Sequence, residues 1–129
     1  MLKVKIDTKE IFHVICIEET LLTAIMAEKL DELIEQLQAD DEKSLVIDLK
    51  NVEQIDLAVP ENFMLLHNKT YSKSKSLVFC NVNAAVKQVI DDKTEPEALN
   101  ITPTESEAWD IVQMEEIERE LDIVHFLRK

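Results

Sequence analysis

The chain has 129 residues, no glycine and a formal net charge of −13, from 27 acidic and 14 basic residues. The absence of glycine excludes the Walker phosphate loop, the dinucleotide-binding turn and the nucleophile elbow, because each needs a backbone position that a side chain obstructs. The acidic charge disfavours nucleic acid and anionic membrane surfaces, which bind proteins chiefly through lysine and arginine. The length and the 46% apolar fraction are typical of one globular domain with its own core.

Neither an export signal nor a membrane span is predicted. Lys3, Lys5 and Asp7 interrupt the apolar residues near the amino terminus, and no later run approaches the roughly 18 apolar residues of a span. Cys16 and Cys80 lie in separate apolar runs, which indicates buried thiols, and the three histidines are scattered. We therefore expect a cytoplasmic protein without direct membrane insertion, a metal site or a cofactor.

The first part of the chain begins as sheet and continues with a helix and a buried strand. Residues 3–7 and 11–17 predict two strands, most simply a hairpin. Residues 20–38 predict an amphipathic helix of about five turns, and residues 44–49 form the nearly continuous apolar run of a central strand covered on both faces. The apolar face of this helix consists of Ile25, Met26, Leu30, Leu33, Ile34 and Leu37.

A second helix, two short strands and a third helix are expected next. Pro60 suits the first turn of a helix, since its missing N–H would have no partner there, and this helix is expected to run to about residue 72. Residues 76–82 predict a strand, Asn83 caps a short helix, and residues 99–101 form a last short strand. The core-facing residues of the second helix are Phe63, Leu66 and Thr70.

The final helix is long and strongly acidic. Thr104 and Glu107 have the spacing of a capping box that opens a helix over about residues 105–121. Residues 104–122 contain eight acidic residues and only Arg119 as a base, a net charge of −7, so this helix either attracts a basic surface or stays solvated. Its inward residues are expected to be Ala108, Ile111, Val112, Met114, Ile117 and Leu121.

Strands that alternate with helices predict βαβ units with right-handed crossovers. The expected fold is α/β: one domain, residues 1–122, with a mixed, mostly parallel sheet of four or five strands, four helices and an opening antiparallel strand pair. Residues 123–129 form a C-terminal tip that either packs back on the domain or meets a partner. Because glycine is absent, positive φ angles are expected at Asn51, Asn81, Asn83 and Asn100.

Candidate chemistry is sparse. Acidic pairs are too common in this chain to indicate acid–base catalysis, and no serine or cysteine nucleophile can be grouped with a histidine. Asp48 and Asp56 stand out because each lies near the carboxyl end of an apolar segment, where α/β proteins bind ligands. A capping or turn-forming role is the alternative for both residues, and no catalytic residue is assigned.

The order of elements resembles the STAS domain, the family of bacterial anti-sigma-factor antagonists that also occurs in sulfate transporters and stressosome proteins. The resemblance is carried by Val46-Ile47-Asp48-Leu49, by Ile55-Asp56, by residues 77–82 leading into Ala85-Val86-Lys87, and by Ser106-Glu107-Ala108. It extends from Val4 to about Val112 and depends on this overall pattern rather than on one invariant motif.

The resemblance also identifies a loop. In the family, the segment that matches residues 56–60 reads Asp-Ser-Ser-Gly-Leu, and a partner kinase phosphorylates the serine after the aspartate. Here Leu57 stands at that serine, Ala58 at the second serine and Val59 at the glycine, so only Asp56 is retained. The resemblance implies that this loop and the following helix form a docking surface, here without a hydroxyl that could accept phosphate. Residues 57–59 either form an exposed apolar loop or pack inward.

Three functions are consistent with the sequence. The first is a non-enzymatic interaction module that binds a protein, either a kinase-like anti-sigma factor or a subunit of a complex. The second is a small-molecule or nucleotide sensor that uses the loops at the carboxyl edge of the sheet. The third is a structural, self-associating subunit such as a homodimer, with the tip as its contact. The partner-binding residues of the first hypothesis are Asp56, Leu57, Ala58, Val59, Pro60, Glu61 and Phe63.

Overall fold

The computed structural model describes the backbone of residues 1–127 and the side chains of residues 1–122. Within these residues, strands and helices alternate along the chain. The strands are β1 (Val4–Thr8), β2 (Phe12–Ile17), β3 (Leu21–Leu22), β4 (Ser44–Asp48), β5 (Gln54–Ile55), β6 (Leu77–Cys80) and β7 (Ile101–Thr102). The helices are α1 (Ala24–Asp40), α2 (Val59–Ser72), α3 (Ala84–Lys93) and α4 (Glu105–Leu127).

Five of the strands form one mixed sheet in the order β1-β2-β4-β6-β7. The β1–β2 pair is antiparallel, and the other neighbours are parallel. Strand β4 is central and buried along its whole length, as its continuous apolar run predicts. The α/β class, the opening antiparallel pair and the four helices are therefore confirmed. The small parallel pair β3–β5 was not expected, because two residues are too few to show a strand period.

The sheet separates two apolar cores. Because side chains alternate across a strand, Leu45 and Ile47 of β4 belong to the larger core, whereas Val46 faces the opposite side. The larger core includes Phe63 of α2, whose ring centroid lies 4.5 Å from that of Phe79. The smaller core packs Ala108 and Val112 of α4 against the other face. Helices α2 and α4 therefore lie on opposite faces of the sheet.

Helix α1 begins later than its apolar pattern predicts. Thr23 caps the helix by accepting the N–H of Met26 at 3.2 Å, and the preceding residues form β3 instead of a first helical turn. Ala27, Leu30 and Ile34 are the buried residues of the helix. Ile25 is 69% exposed, so its expected place on the core face is wrong. It lies on the first turn of α1, away from the stripe that packs on the sheet.

Helix α4 starts as predicted but runs to Leu127. Thr104 accepts the N–H of Glu107 at 3.2 Å, which confirms the cap. Ala108 and Val112 are buried and Ile111 is partly buried, but the expected inward position of Met114, Ile117 and Leu121 is wrong, since these three side chains are exposed. The predicted boundary at residue 122 falls inside this helix, and the tip's side chains lie outside the described part of the chain.

Positive φ angles occur at Ser74 (60°), Asn81 (56°) and Glu97 (60°). The prediction is confirmed for Asn81 and is wrong for Asn51, Asn83 and Asn100. Asn83 has extended backbone instead, because its side chain caps α3 by accepting the N–H of Val86 at 2.8 Å. Two of the three positive φ angles therefore occur at residues other than asparagine, Ser74 and Glu97.

Candidate functional site

The loop between β5 and α2 is held in place by Asp56. The Oδ2 atom of Asp56 accepts the N–H of Ala24, the first residue of α1, at 3.0 Å. The backbone N–H of Asp56 donates to the carbonyl of Leu22 at 3.0 Å, and Val59 N–H donates to the carbonyl of Asp56 at 3.0 Å. A carboxylate at the positive end of a helix is favourable, so Asp56 has the capping role that the sequence offered.

The seven predicted partner-binding residues divide into a surface group and a buried group. Leu57 is 66% exposed, Ala58 and Glu61 are exposed, and Asp56 is partly buried. The other three, Val59, Pro60 and Phe63, are buried.

Of the two alternatives left open for residues 57–59, inward packing therefore applies to Val59, and exposure applies to Leu57 and Ala58. Val59 is the first residue of α2 and packs in the larger core with Phe63. These two side chains anchor the start of the helix, and Leu57 and Ala58 form the apolar part of the loop that faces solvent.

Two exposed apolar residues beside this loop were missed by the sequence analysis. Leu21 of β3 lies in register with Gln54 of β5, just before the loop. Ile25 follows Ala24, whose N–H is bound by Asp56. No periodic signal could have placed them here, because the two-residue pairing of β3 with β5 is a long-range contact. We name Leu21, Ile25, Leu57, Ala58 and Glu61 the loop surface.

Asp48 lies at the carboxyl end of β4 and is buried. Its Oδ1 accepts the backbone N–H of Lys50 at 2.9 Å and the side-chain amide of Asn81 at 3.0 Å. These bonds tie together the turns after β4 and β6, so the structure gives Asp48 a turn-forming role.

The two cysteines flank Asp48 across the sheet, since Cys16 pairs with Asp48 and Asp48 with Cys80 in the strand register. Burial raises the pKa of the Cys80 thiol to about 12, and burial also raises the pKa of Cys16. Protonated thiols are poor nucleophiles and poor metal ligands. Among the described side chains, no group of three histidine, cysteine, aspartate or glutamate residues could hold a metal ion.

A cleft of about 240 Å³ lies between α1 and α2. Its walls carry opposite charges, with Asp31 and Glu35 on α1, Lys69 on α2 and Lys73 directly after the end of α2. Ile34 and Leu66 contribute apolar surface. Lys69 Nζ lies 3.4 Å from Glu35 Oε1. Burial raises the pKa of Asp31 to about 6, although the nearby Lys69 opposes this shift. The cleft is smaller than the roughly 300–1,000 Å³ of most ligand sites, which limits an occupant to a small molecule or a single side chain.

The carboxyl edge of the sheet, where the sequence suggested a ligand site, has a more polar lining than the cleft between α1 and α2. Polar and charged side chains from the loops after β2 and β4 form an open groove there, among them Glu18, Lys50 and Glu53. Asp56 does not line it. No helix in the described part of the chain is long and apolar enough to cross a membrane.

Comparisons with known proteins agree with this architecture. A variant of RsbS from Moorella thermoacetica has a TM-score of 0.72 at 19% identity, covering 91% of this chain and 98% of its own. An anti-sigma factor antagonist from Mycobacterium paratuberculosis gives 0.71 at 19% identity over 88% and 95% of the two chains. The unphosphorylated anti-sigma factor antagonist SpoIIAA gives 0.71 at 13% identity over 86% and 96%. At these identities the likeness concerns the fold.

A search of curated protein sequences returns no significant match. The family model of the STAS domain matches residues 4–108, which include the whole sheet and the loop surface. The chain therefore belongs to the STAS domain family.

Proposed function

We propose that this STAS domain is a non-enzymatic, cytoplasmic interaction module that binds a regulatory protein through the loop surface, without a phosphoserine switch. The observation that carries the proposal is the exposed Leu57 on a loop fixed by Asp56. By the family resemblance, Leu57 stands at the position of the phosphorylated serine. Leucine has no hydroxyl, so phosphorylation cannot place a charge at this point of the loop. Contact with the partner is therefore constitutive.

The apolar character of the loop surface supports a protein partner. Leu21, Ile25, Leu57 and Ala58 are exposed on adjoining segments, and apolar surface of this kind marks interaction sites. Two structures with the same fold are anti-sigma factor antagonists by name. For this chain, the corresponding partner is a kinase-like anti-sigma factor or a subunit of a regulatory complex.

The contribution of Leu57 can be estimated from its exposure. Full burial of a leucine side chain contributes about 1.5–3 kcal/mol, and about two thirds of that surface is still available in the free protein. Truncation to alanine should therefore weaken partner binding by about 1–2 kcal/mol, or roughly 5- to 30-fold. A charge at the same position should weaken binding further, because it would have to be desolvated.

Affinity capture from a lysate of the source organism tests the proposal, with wild type, Leu57→Asp and a control variant compared by quantitative mass spectrometry. Ile6→Asp is the control, since Ile6 is an exposed apolar residue of the edge strand β1, away from the loop. The expected result is a protein recovered by wild type and Ile6→Asp but lost with Leu57→Asp. Equal recovery of every protein by a folded Leu57→Asp variant would remove the loop surface from consideration.

A second candidate function, a small-molecule sensor, is favoured by the cleft between α1 and α2 with its apolar residues and opposed charges. A thermal-shift screen against nucleotides and anionic metabolites tests it, with Lys69→Met as the variant that should abolish any shift. No shift with any compound at millimolar concentration would reject this function.

A further inference from the structure

Helix α4 carries apolar side chains on two opposite faces. Ala108 and Val112 are buried in the smaller core against the sheet. At 100° per residue, Met114, Ile117 and Leu121 lie about 200°, 140° and 180° around the helix axis from Val112. They are 54%, 57% and 63% exposed, respectively. We name these three residues the outer stripe.

The outer stripe cannot be covered by the domain that carries it. The sheet already packs on the other face of α4, so a side chain about 180° away points to solvent. The spacing of three and four residues between Met114, Ile117 and Leu121 is the spacing of an a/d seam, by which one helix packs along another. A helix that is apolar on two opposite faces is typical of one that is buried on both sides.

The charges beside the outer stripe are acidic. Asp110 and Glu118 lie within about 60° of its centre, and both are exposed. Residues 104–122 have a net charge of −7, with Arg119 as their only base.

Arg119 is turned toward the domain. Its Nη2 donates to Ser76 Oγ at 2.8 Å, its Nη1 donates to Glu116 Oε1 at 3.1 Å, and its guanidinium lies 5.9 Å from the centre of the Tyr71 ring. Over the described side chains of α4, the outer face therefore carries apolar and acidic groups without a compensating cation.

We propose that the outer stripe is a docking surface for a basic amphipathic helix of another protein. Apolar side chains of that helix would pack against Met114, Ile117 and Leu121, and lysine or arginine residues beside them would pair with Asp110 and Glu118. A second copy of this chain fits less well, because two outer stripes would bring their acidic flanks together and each protein carries a net charge of −13.

This surface is separate from the loop surface. Helix α4 packs on one face of the sheet, and α2, which begins at the loop, packs on the other. The domain could then hold two partners at once, so the outer stripe adds an adaptor role to the proposed function.

The test uses the full chain and a labelled synthetic helix of about 21 residues, or three heptads, with leucine at a and d and lysine or arginine at e and g. Fluorescence anisotropy is measured at about 0.15 M salt, with a second peptide of the same composition in which the leucines are scrambled. The patterned peptide should bind wild type, and Ile117→Ser/Leu121→Ser should weaken binding by about tenfold or more. The control Ile6→Ser, which changes an exposed apolar residue of the edge strand β1, should leave binding unchanged.

Three results would overturn the proposal. Equal binding of the patterned and scrambled peptides, or equal binding to wild type and Ile117→Ser/Leu121→Ser, would show general charge attraction only. A dimer by light scattering that becomes a monomer in Ile117→Ser/Leu121→Ser would show that a second copy covers the stripe. Since the substituted side chains are exposed, both variants should keep the wild-type circular dichroism and melting temperature.

Discussion

Asp56 fixes the start of α1 and the loop before α2 through a hydrogen bond that does not depend on phosphorylation. Its carboxylate accepts the first N–H of α1 at 3.0 Å, while Thr23 accepts the N–H of Met26 at 3.2 Å. Asp56→Ala leaves the Ala24 N–H without this partner in a partly buried position. The substitution should therefore destabilise both the start of α1 and the loop that presents Leu57.

The magnitude follows from two effects. Loss of a side-chain cap at a helix start costs about 1 kcal/mol, and loss of a negative charge at that end costs about 0.3–1 kcal/mol more. We expect Asp56→Ala to lower the free energy of unfolding by about 1–2 kcal/mol. Asp56→Asn keeps an acceptor but not the charge, so it should cost about 0.5 kcal/mol. For a domain of 129 residues, 1 kcal/mol corresponds to a fall of roughly 4 °C in Tm.

Urea unfolding at pH 7, followed by far-ultraviolet circular dichroism, measures these differences, and an unchanged m-value would show that the two end states are comparable. Thr23→Ala is the matched control, because it removes the other cap of the same helix and should cost about 1 kcal/mol. An Asp56→Ala protein as stable as wild type would refute the capping argument. Equal losses for Asp56→Asn and Asp56→Ala would refute the part assigned to charge.

Three further predictions concern stability. Burial raises the pKa of Asp31 to about 6, so its ionised form opposes folding and the penalty grows as pH rises from about 4 to 6. Asp31→Asn should therefore stabilise the protein at pH 8 by about 1 kcal/mol, allowing for solvent screening, and not at pH 3.5. The same gain by chemical denaturation at both pH values would contradict this. Glu97 has a positive φ, which glycine adopts without a steric penalty, so Glu97→Gly should raise the free energy of unfolding by about 0.5–1 kcal/mol. An unchanged or lower Tm in calorimetry would show that the turn is not strained. Phe63→Ala should lower the free energy of unfolding by about 3–5 kcal/mol, whereas Leu57→Ala should lower it by less than about 0.5 kcal/mol. Similar urea midpoints for these two variants would show that the division into buried and surface residues is wrong.

The parts of the fold that the sequence predicted depend on local signals. The continuous apolar run of β4, the proline in the first turn of α2 and the capping box before α4 each act within a few residues. The β3–β5 pair could not be found in this way. It joins Leu21 to Gln54 and Leu22 to Ile55, and its strands have two residues each, so its position depends on the helix and strand between them.

In the candidate site, too, local sequence signals do not show which side chains are exposed. Leu57, Ala58 and Val59 are three consecutive apolar residues, and composition does not distinguish them. Helix α2 begins at Val59, which turns that side chain into the core, while Leu57 remains on the solvent side. The family resemblance pointed to this loop as a docking surface, which stays a prediction, but the point at which the helix begins decides which of its side chains are exposed.

For α4, the information was present in the sequence but a single inward face was assumed. Val112 and Leu121 are nine residues apart, about 180° around a helix, so one sheet cannot cover both. Asp110 lies on the outer face and Glu118 lies beside it, and neither interferes with packing on the sheet. A helix needed only to complete this domain would require one apolar face. The second apolar face, with acidic side chains on and beside it, therefore supports a basic helix as the partner. Binding of that helix should not depend on Leu57, because the sheet lies between the outer stripe and the loop surface.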